Sequence, residues 1–140
     1  MELDVLTEAI DGLSGSDPSS CADAESIERL QRQLVRLDAF VTEATAAFDA
    51  SGNWVPDGAR NAASWLATRC RMPRGHARRL VRRGRELRHL PACSLAWSDG
   101  DISAPQVDAI AALRADATED ALARDESMLV AQARTTALYD

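Results

Sequence analysis

The sequence predicts an all-α fold, a helical bundle of six to seven helices that includes a helix-turn-helix-like pair. Three observations carry this expectation. Apolar residues recur at steps of three and four along the chain, the spacing of one helix face. No stretch alternates polar and apolar residues over six positions. Aromatic residues that favour strands are scarce, with one Tyr and two Phe in 140 residues. The length suits one domain, or one domain with a tail: a short helix and linker over residues 1–20, then a single helical domain over 21–140.

The first helix is expected over about 2–13, with Leu3, Leu6, Ile10 and Leu13 on one stripe. The string Ser14-Gly15-Ser16-Asp17-Pro18-Ser19-Ser20 is loop chemistry and ends it. A long helix follows over about 22–50. Its apolar positions Ile27, Leu30, Leu34, Leu37, Val41, Ala44 and Phe48 step by three and four alternately, a heptad seam. Such a seam either pairs two subunits, making a homodimer through Ile27, Leu30, Leu34, Leu37 and Val41, or packs on the chain's own helices. Gly52 is placed to end the helix. Residues 53–58 read as a loop. A helix over about 59–70 then turns Ala59, Ala62, Ala63, Leu66 and Cys70 inward, with Trp65 at its edge.

A break at Arg71-Met72 leads to Pro73, suited to the first turn of a helix that runs to about His89. Leu90-Pro91 stops that helix. A short helix over 92–98 carries Leu95 and Trp97, and Gly100 closes it. Ser103 and Gln106 have the spacing of a capping box for a helix burying Val107, Ile110 and Leu113. Thr118-Glu119-Asp120 opens a last helix, its early acids suited to the macrodipole, with Leu122, Leu129 and Ala133 inward.

Net charge is −6, which on average disfavours nucleic acid, but the charge is unevenly spread. Residues 58–98 hold ten Arg and one acid, Glu86; the remaining 99 residues hold six Arg and 21 acids. Every basic residue is Arg and 26 residues are Ala, a bias that a GC-rich genome is sufficient to explain. No apolar run approaches the roughly 18–20 residues that span a bilayer, and the opening Met1-Glu2-Leu3-Asp4 is no secretory leader. The expectation is a cytoplasmic protein without membrane contact. Cys21, Cys70 and Cys93 are widely spaced and only His76 and His89 accompany them, so reduced thiols are expected, with no metal site and no cofactor.

Function is carried by the segment from Leu66 to Leu80. Leu66-Ala67, Met72, Ala77 and Leu80 meet the packing needs of a helix-turn-helix, with Ala67 small enough for a close crossing. The turn position where Gly is usual holds Arg71, and a left-handed turn costs a non-Gly residue about 1 kcal/mol. On the following helix Ala77, Leu80, Val81, Gly84 and Leu87 share one stripe. Gly75, Arg78, Arg79, Arg82 and Glu86 lie opposite, with Arg83, Arg85 and His89 beside them. Like charges four apart, as in Arg74/Arg78, Arg78/Arg82 and Arg79/Arg83, each cost about 0.2–0.5 kcal/mol. Something negative must offset them, either phosphate or the chain's own acids, among them Glu119, Asp120, Asp125 and Glu126. Arg88 leans towards the apolar stripe and is expected to snorkel or pair with a carboxylate. Trp54, Trp65 and Trp97 read as core rather than stacking platforms, and His76 as a partly exposed surface residue. Asp99 and Asp101 read as turn residues rather than a catalytic pair.

Together, the run Asp57-Gly58-Ala59-Arg60-Asn61-Ala62-Ala63-Ser64-Trp65-Leu66-Ala67, the Arg74–Arg88 helix, Leu90-Pro91 and Gly100-Asp101-Ile102-Ser103-Ala104-Pro105-Gln106-Val107 resemble the domain of unknown function 222 family. The resemblance covers roughly residues 25–138. It implies an actinobacterial helical domain that often precedes an HNH endonuclease module, and it brings no catalytic residues to transfer. The His-Asn-His constellation of an HNH site is missing from this sequence, as are G-x-S-x-G, P-loop and H-E-x-x-H motifs. The expected function is therefore a non-catalytic DNA-binding or DNA-positioning domain of an HNH-endonuclease-associated protein. Arg69, Arg71 and Arg74 would hold phosphates near the turn, Arg78, Arg79 and Arg82 would face the groove, and Arg83 and Arg85 would hold the flanking backbone. Alternatives are a protein–protein interaction or dimerisation module, or an inactive fragment of a nuclease-family protein.

Overall fold

A computed structural model describes the backbone of residues 1–113 and 119–135, and the side chains of 1–113 and 125–135. The expectations for Thr118, for Leu122, and for Glu119 and Asp120 as counter-ions lie outside these residues. The fold is all-α: seven helices and no strand occur among the described residues. They are α1 (Glu2–Ser14), α2 (Ala24–Ser51), α3 (Ala62–Arg69), α4 (Arg74–Leu87), α5 (Pro91–Ser98), α6 (Ala104–Leu113) and α7 (Glu119–Thr135). Single 3-10 turns at Pro18–Cys21 and Val55–Asp57 occupy two of the expected loops. No helix among the described residues is long and apolar enough to cross a membrane.

The chain divides into two compact units, Met1–Leu34 and Val35–Asp140, with the division inside α2. In the first unit α1 buries none of its residues. Asp17 caps the 3-10 turn by accepting from the Ser19 N–H at 3.0 Å, and Asp23 accepts from the Ser26 N–H at 3.0 Å at the start of α2. These bonds hold both carboxyl groups below the usual Asp range.

The second unit holds two buried clusters. Ala62 and Leu66 of α3 meet Ala77, Leu80 and Val81 of α4 in one. Leu87, Leu90, Cys93, Ala96, Trp97, Ile102, Val107, Ile110 and Val130 form the other, joined by Ala39 of α2. The large seam residues of α2 do not drive its packing. A stripe of small residues, Ala39, Thr42 and Ala46, is buried instead, and it lies against α4. A Cβ added at Gly84 would stand 2.9 Å from the Ala46 Cβ and 3.1 Å from the Thr42 carbonyl oxygen. Gly84 thus lets two backbones approach more closely than any side chain allows, and α2 turns its small face to α4 while Val41 stays 41% exposed. Leu113 and Leu95, expected to contribute apolar contacts, are exposed, and Cys70 is exposed as the C-cap of α3.

The short helices α5 and α6 are tied down by side chains from α7 and the preceding loop. Leu90 has no group to cap α5, and the Glu126 carboxylate from α7 accepts from the Cys93 N–H at 2.9 Å instead. Burial, with the Glu126 charge beside it, pushes the Cys93 thiol up to about 12. The capping box forms as spaced: Gln106 Oε1 accepts from the Ser103 N–H at 2.9 Å, and the Gln106 amide donates to the Ala133 carbonyl at 2.7 Å.

Replacing Gly84 by Ala sets a helix-propensity gain of about 1 kcal/mol against overpacking of about 1–3 kcal/mol. Because the obstructing atoms include the Thr42 carbonyl as well as the Ala46 Cβ, overpacking prevails: G84A melts below the parent in thermal CD.

Candidate nucleic-acid interface

The site is built on α3, α4 and the turn between them. Asn61 starts α3 by accepting from the Ser64 N–H at 2.8 Å, and Cys70 ends it by donating to the Leu66 carbonyl at 2.8 Å. The chain reverses at Arg71, whose φ is +54°. The position where Gly is usual therefore takes the left-handed conformation even with Arg in place. Strain of about 1 kcal/mol at a non-Gly residue is sustained by the packing of Met72 and Ala67 against the α3–α4 cluster. Pro73 takes the N-cap of α4 rather than its first turn and has no side-chain cap to offer, and no acid stands in that first turn. Arg74 instead occupies the positive end of the helix dipole.

The buried stripe of α4 is the expected one: Ala77, Leu80, Val81, Gly84 and Leu87. Its arginines fall into two groups. At one margin of the outward face, Arg83 donates from Nε and Nη2 to the two carboxylate oxygens of Asp108, both at 2.8 Å. The Arg83 side chain is only 10% exposed and its guanidinium lies 5.7 Å from the Trp97 ring centroid. The Asp108 bonds raise the Arg83 pKa above the usual Arg value against the opposing effect of burial. At the other margin Arg85 makes the same two-bond contact with Asp49 at 2.9 and 3.0 Å. Below the turn Arg69 lies 3.4 Å from Asp57, whose other oxygen accepts from Trp65 Nε1 at 2.8 Å.

Between those margins stand Arg71, Arg74, Arg78, Arg79 and Arg82, all exposed. No salt bridge joins any of these five to a carboxylate among the described residues. The one contact recorded among them is a long bond from Arg78 Nε to the Arg74 carbonyl at 3.5 Å. Of the eight arginines read from the sequence as a nucleic-acid face, five thus form an unpaired ridge and Arg69, Arg83 and Arg85 hold internal carboxylates. The acids that do this are Asp57, Asp108 and Asp49, not Glu126, which caps α5. No local spacing reveals these partners, since Asp108 lies 25 residues and Asp49 36 residues from its arginine.

Arg88 takes the Ala46 carbonyl at 3.3 Å rather than a carboxylate. Trp97 is 1% exposed. Trp54 and Trp65 are half-buried, with Trp54 Nε1 on the Asp49 carbonyl at 3.1 Å and the Trp65 ring 4.6 Å from that of Phe48. His76 and His89 are exposed. Sequence reasoning passed over Arg60, which borders a cleft with Arg74 and Arg78; the helix expected from about 59 included it, whereas Asn61 caps a helix that begins at Ala62 and leaves Arg60 before it.

The model for the family described as "Domain of unknown function (DUF222)" matches residues 24–140. Comparison with curated proteins and with solved structures finds no match.

The two paired margins differ in which partner is buried, Arg83 in one and Asp49 in the other, each 10% exposed, and the guanidinium left behind decides the cost of losing the carboxylate. Asp108→Asn leaves a largely buried guanidinium without its charge partner and lowers stability by about 1–3 kcal/mol. Asp49→Asn, opposite an Arg85 side chain that is 60% exposed, costs about 1 kcal/mol or less. Urea denaturation of both variants checks the order.

Proposed function

We propose that this chain, which belongs to the DUF222 family over residues 24–140, is a non-catalytic, cytoplasmic DNA-binding or DNA-positioning domain of an HNH-endonuclease-associated protein. The observation that carries the reading is the disposition of charge on α4. Five exposed arginines, Arg71 in the turn and Arg74, Arg78, Arg79 and Arg82 on the helix, have no carboxylate among the described residues, while the arginines at the margins of the helix do. A chain with 22 acids that leaves this ridge unneutralised keeps it for an outside polyanion. Phosphate is the polyanion that guanidinium forks fit best.

In this reading α3 and α4 act as a helix-turn-helix, with α4 laid against the duplex. Arg71 and Arg74 hold phosphates at the turn, and Arg78, Arg79 and Arg82 face the groove. Arg83 and Arg85, expected from sequence to hold the flanking backbone, contribute indirectly: their pairs with Asp108 and Asp49 fix the rotation of α4 about its axis. Arg69 keeps Asp57 neutralised beside the turn. The 21 acids outside residues 58–98 repel the duplex and restrict it to this face.

Fluorescence anisotropy with a labelled duplex over a salt series tests the reading. About five phosphate contacts give a log–log slope near −4 to −5. Arg79→Glu with Arg82→Glu abolishes the signal and leaves helical CD unchanged. Absence of binding at low salt defeats the reading.

A second reading, a homodimer through the α2 seam, is favoured by exposure. Ile27 is 50%, Leu30 36% and Leu34 58% exposed in the first unit, and Val41 is 41% exposed in the second, with Leu37 half-buried. An unpaired heptad seam of this kind is suited to a second copy. Sedimentation velocity then shows a concentration-dependent dimer that Leu34→Glu converts to monomer. A monomer at all concentrations rules the seam out as an interface.

A further inference from the structure

The first turns of α3 and α4 enclose a cleft of about 210 Å³ lined by Arg60, Asn61, Ala63, Ser64, Arg74 and Arg78. Three arginines line one concavity, and none forms an ion pair with a carboxylate among the described residues. The bond from Arg78 Nε to the Arg74 carbonyl draws the Arg78 head back towards the start of α4. Asn61 Oδ1 is committed to the Ser64 N–H. The Ser64 hydroxyl on the same wall has no recorded partner among the described residues. An adjoining cleft of about 300 Å³ shares Arg60, Ser64 and Arg74 and adds Asp57 and Arg69. There Asp57 already takes Arg69 and Trp65. Arg69 is thereby committed to Asp57 on that side, whereas Arg60, Arg74 and Arg78 hold no carboxylate among the described residues.

We propose that the Arg60–Arg74–Arg78 cleft binds a phosphate monoester, and that its source is the terminal phosphate of a nucleic-acid strand. The argument is one of charge and shape. A backbone phosphodiester carries one negative charge and continues in both directions, which suits the open ridge of α4. A monoester carries about −1.5 to −2 at pH 7, with a second pKa near 6 and three strong acceptor oxygens. Three guanidinium forks in a concavity match that number of oxygens and that charge, and a chain end fits into a cleft that a continuous strand spans. The strand-end source rests on the DNA reading above; the monoester chemistry does not.

Isothermal titration of the full chain at pH 7.5 and low salt with methyl phosphate and dimethyl phosphate tests the ligand class. Methyl phosphate is expected to bind at least tenfold more tightly than dimethyl phosphate, and to weaken as pH falls from 7.5 to 5.5 and the second charge is lost. Arg60→Ala, which lies off the α4 ridge, is expected to abolish methyl phosphate binding with unchanged CD. Equal affinity for the two esters, no binding of either, or binding untouched by Arg60→Ala overturns the proposal. Duplexes with 5′-phosphate and 5′-hydroxyl ends then test the source. Tighter binding of the phosphorylated end, lost in Arg60→Ala, supports a strand end. Equal binding of the two duplexes overturns the strand end and leaves a free monoester as ligand. Methyl phosphate binding without any duplex binding defeats the DNA reading and upholds the cleft; duplex binding without methyl phosphate binding does the reverse.

Discussion

Six guanidinium groups on the fourteen residues of α4 repel one another, and the surrounding structure is arranged around that repulsion. The helix forms because five of its residues are buried on one stripe; tertiary packing of an apolar face outweighs local charge. Once the stripe fixes which side faces inward, the arginines are sorted by angle. Those nearest the neighbouring helices meet Asp108 of α6 and Asp49 of α2 in two-bond contacts. Those facing straight outward meet no carboxylate among the described residues. The ridge is thus a consequence of where the carboxylates can reach, not of a shortage of carboxylates.

The same sorting sets the geometry of the site. A bidentate pair constrains direction as well as distance, so two of them on opposite margins hold α4 against rolling on its core. Gly84 sets the depth: α4 sits as close to α2 as backbone atoms permit, which brings Arg85 within reach of Asp49 and Arg88 within reach of the Ala46 carbonyl. Trp97, buried under the Arg83 guanidinium, gives that margin a stiff floor.

The elements were legible in the sequence because their signals are local. The apolar stripe of α4, the Ser103–Gln106 capping box and the stop at Gly100, whose φ is +81°, all appear as read. What was not legible depended on partners far along the chain. Nothing near Arg83 announces Asp108, and nothing near Cys93 announces Glu126, so the division of the arginines into paired and unpaired came only from the fold. Arg71 is a different case. Its side chain argues against a left-handed turn, yet the turn forms, because the α3–α4 cluster offsets a local cost of about 1 kcal/mol. Arg60 escaped because the helix was expected to start near 59, while the Asn61 cap starts α3 at Ala62 and leaves Arg60 outside it.

Within the second unit, the buried face of α2 is not its heptad seam. Its leucine seam has the larger apolar area and on area alone should be the buried side. In the second unit α2 meets α4 at Gly84 through Thr42 and Ala46, and Asp49 on the same helix takes Arg85. Choosing Ala39, Thr42 and Ala46 sacrifices apolar area but closes the approach at Gly84 and secures that charge pair. Among the described residues of the second unit, contact between α2 and α4 satisfies one arginine margin, while Val41 on α2 and the outward arginines of α4 stay exposed.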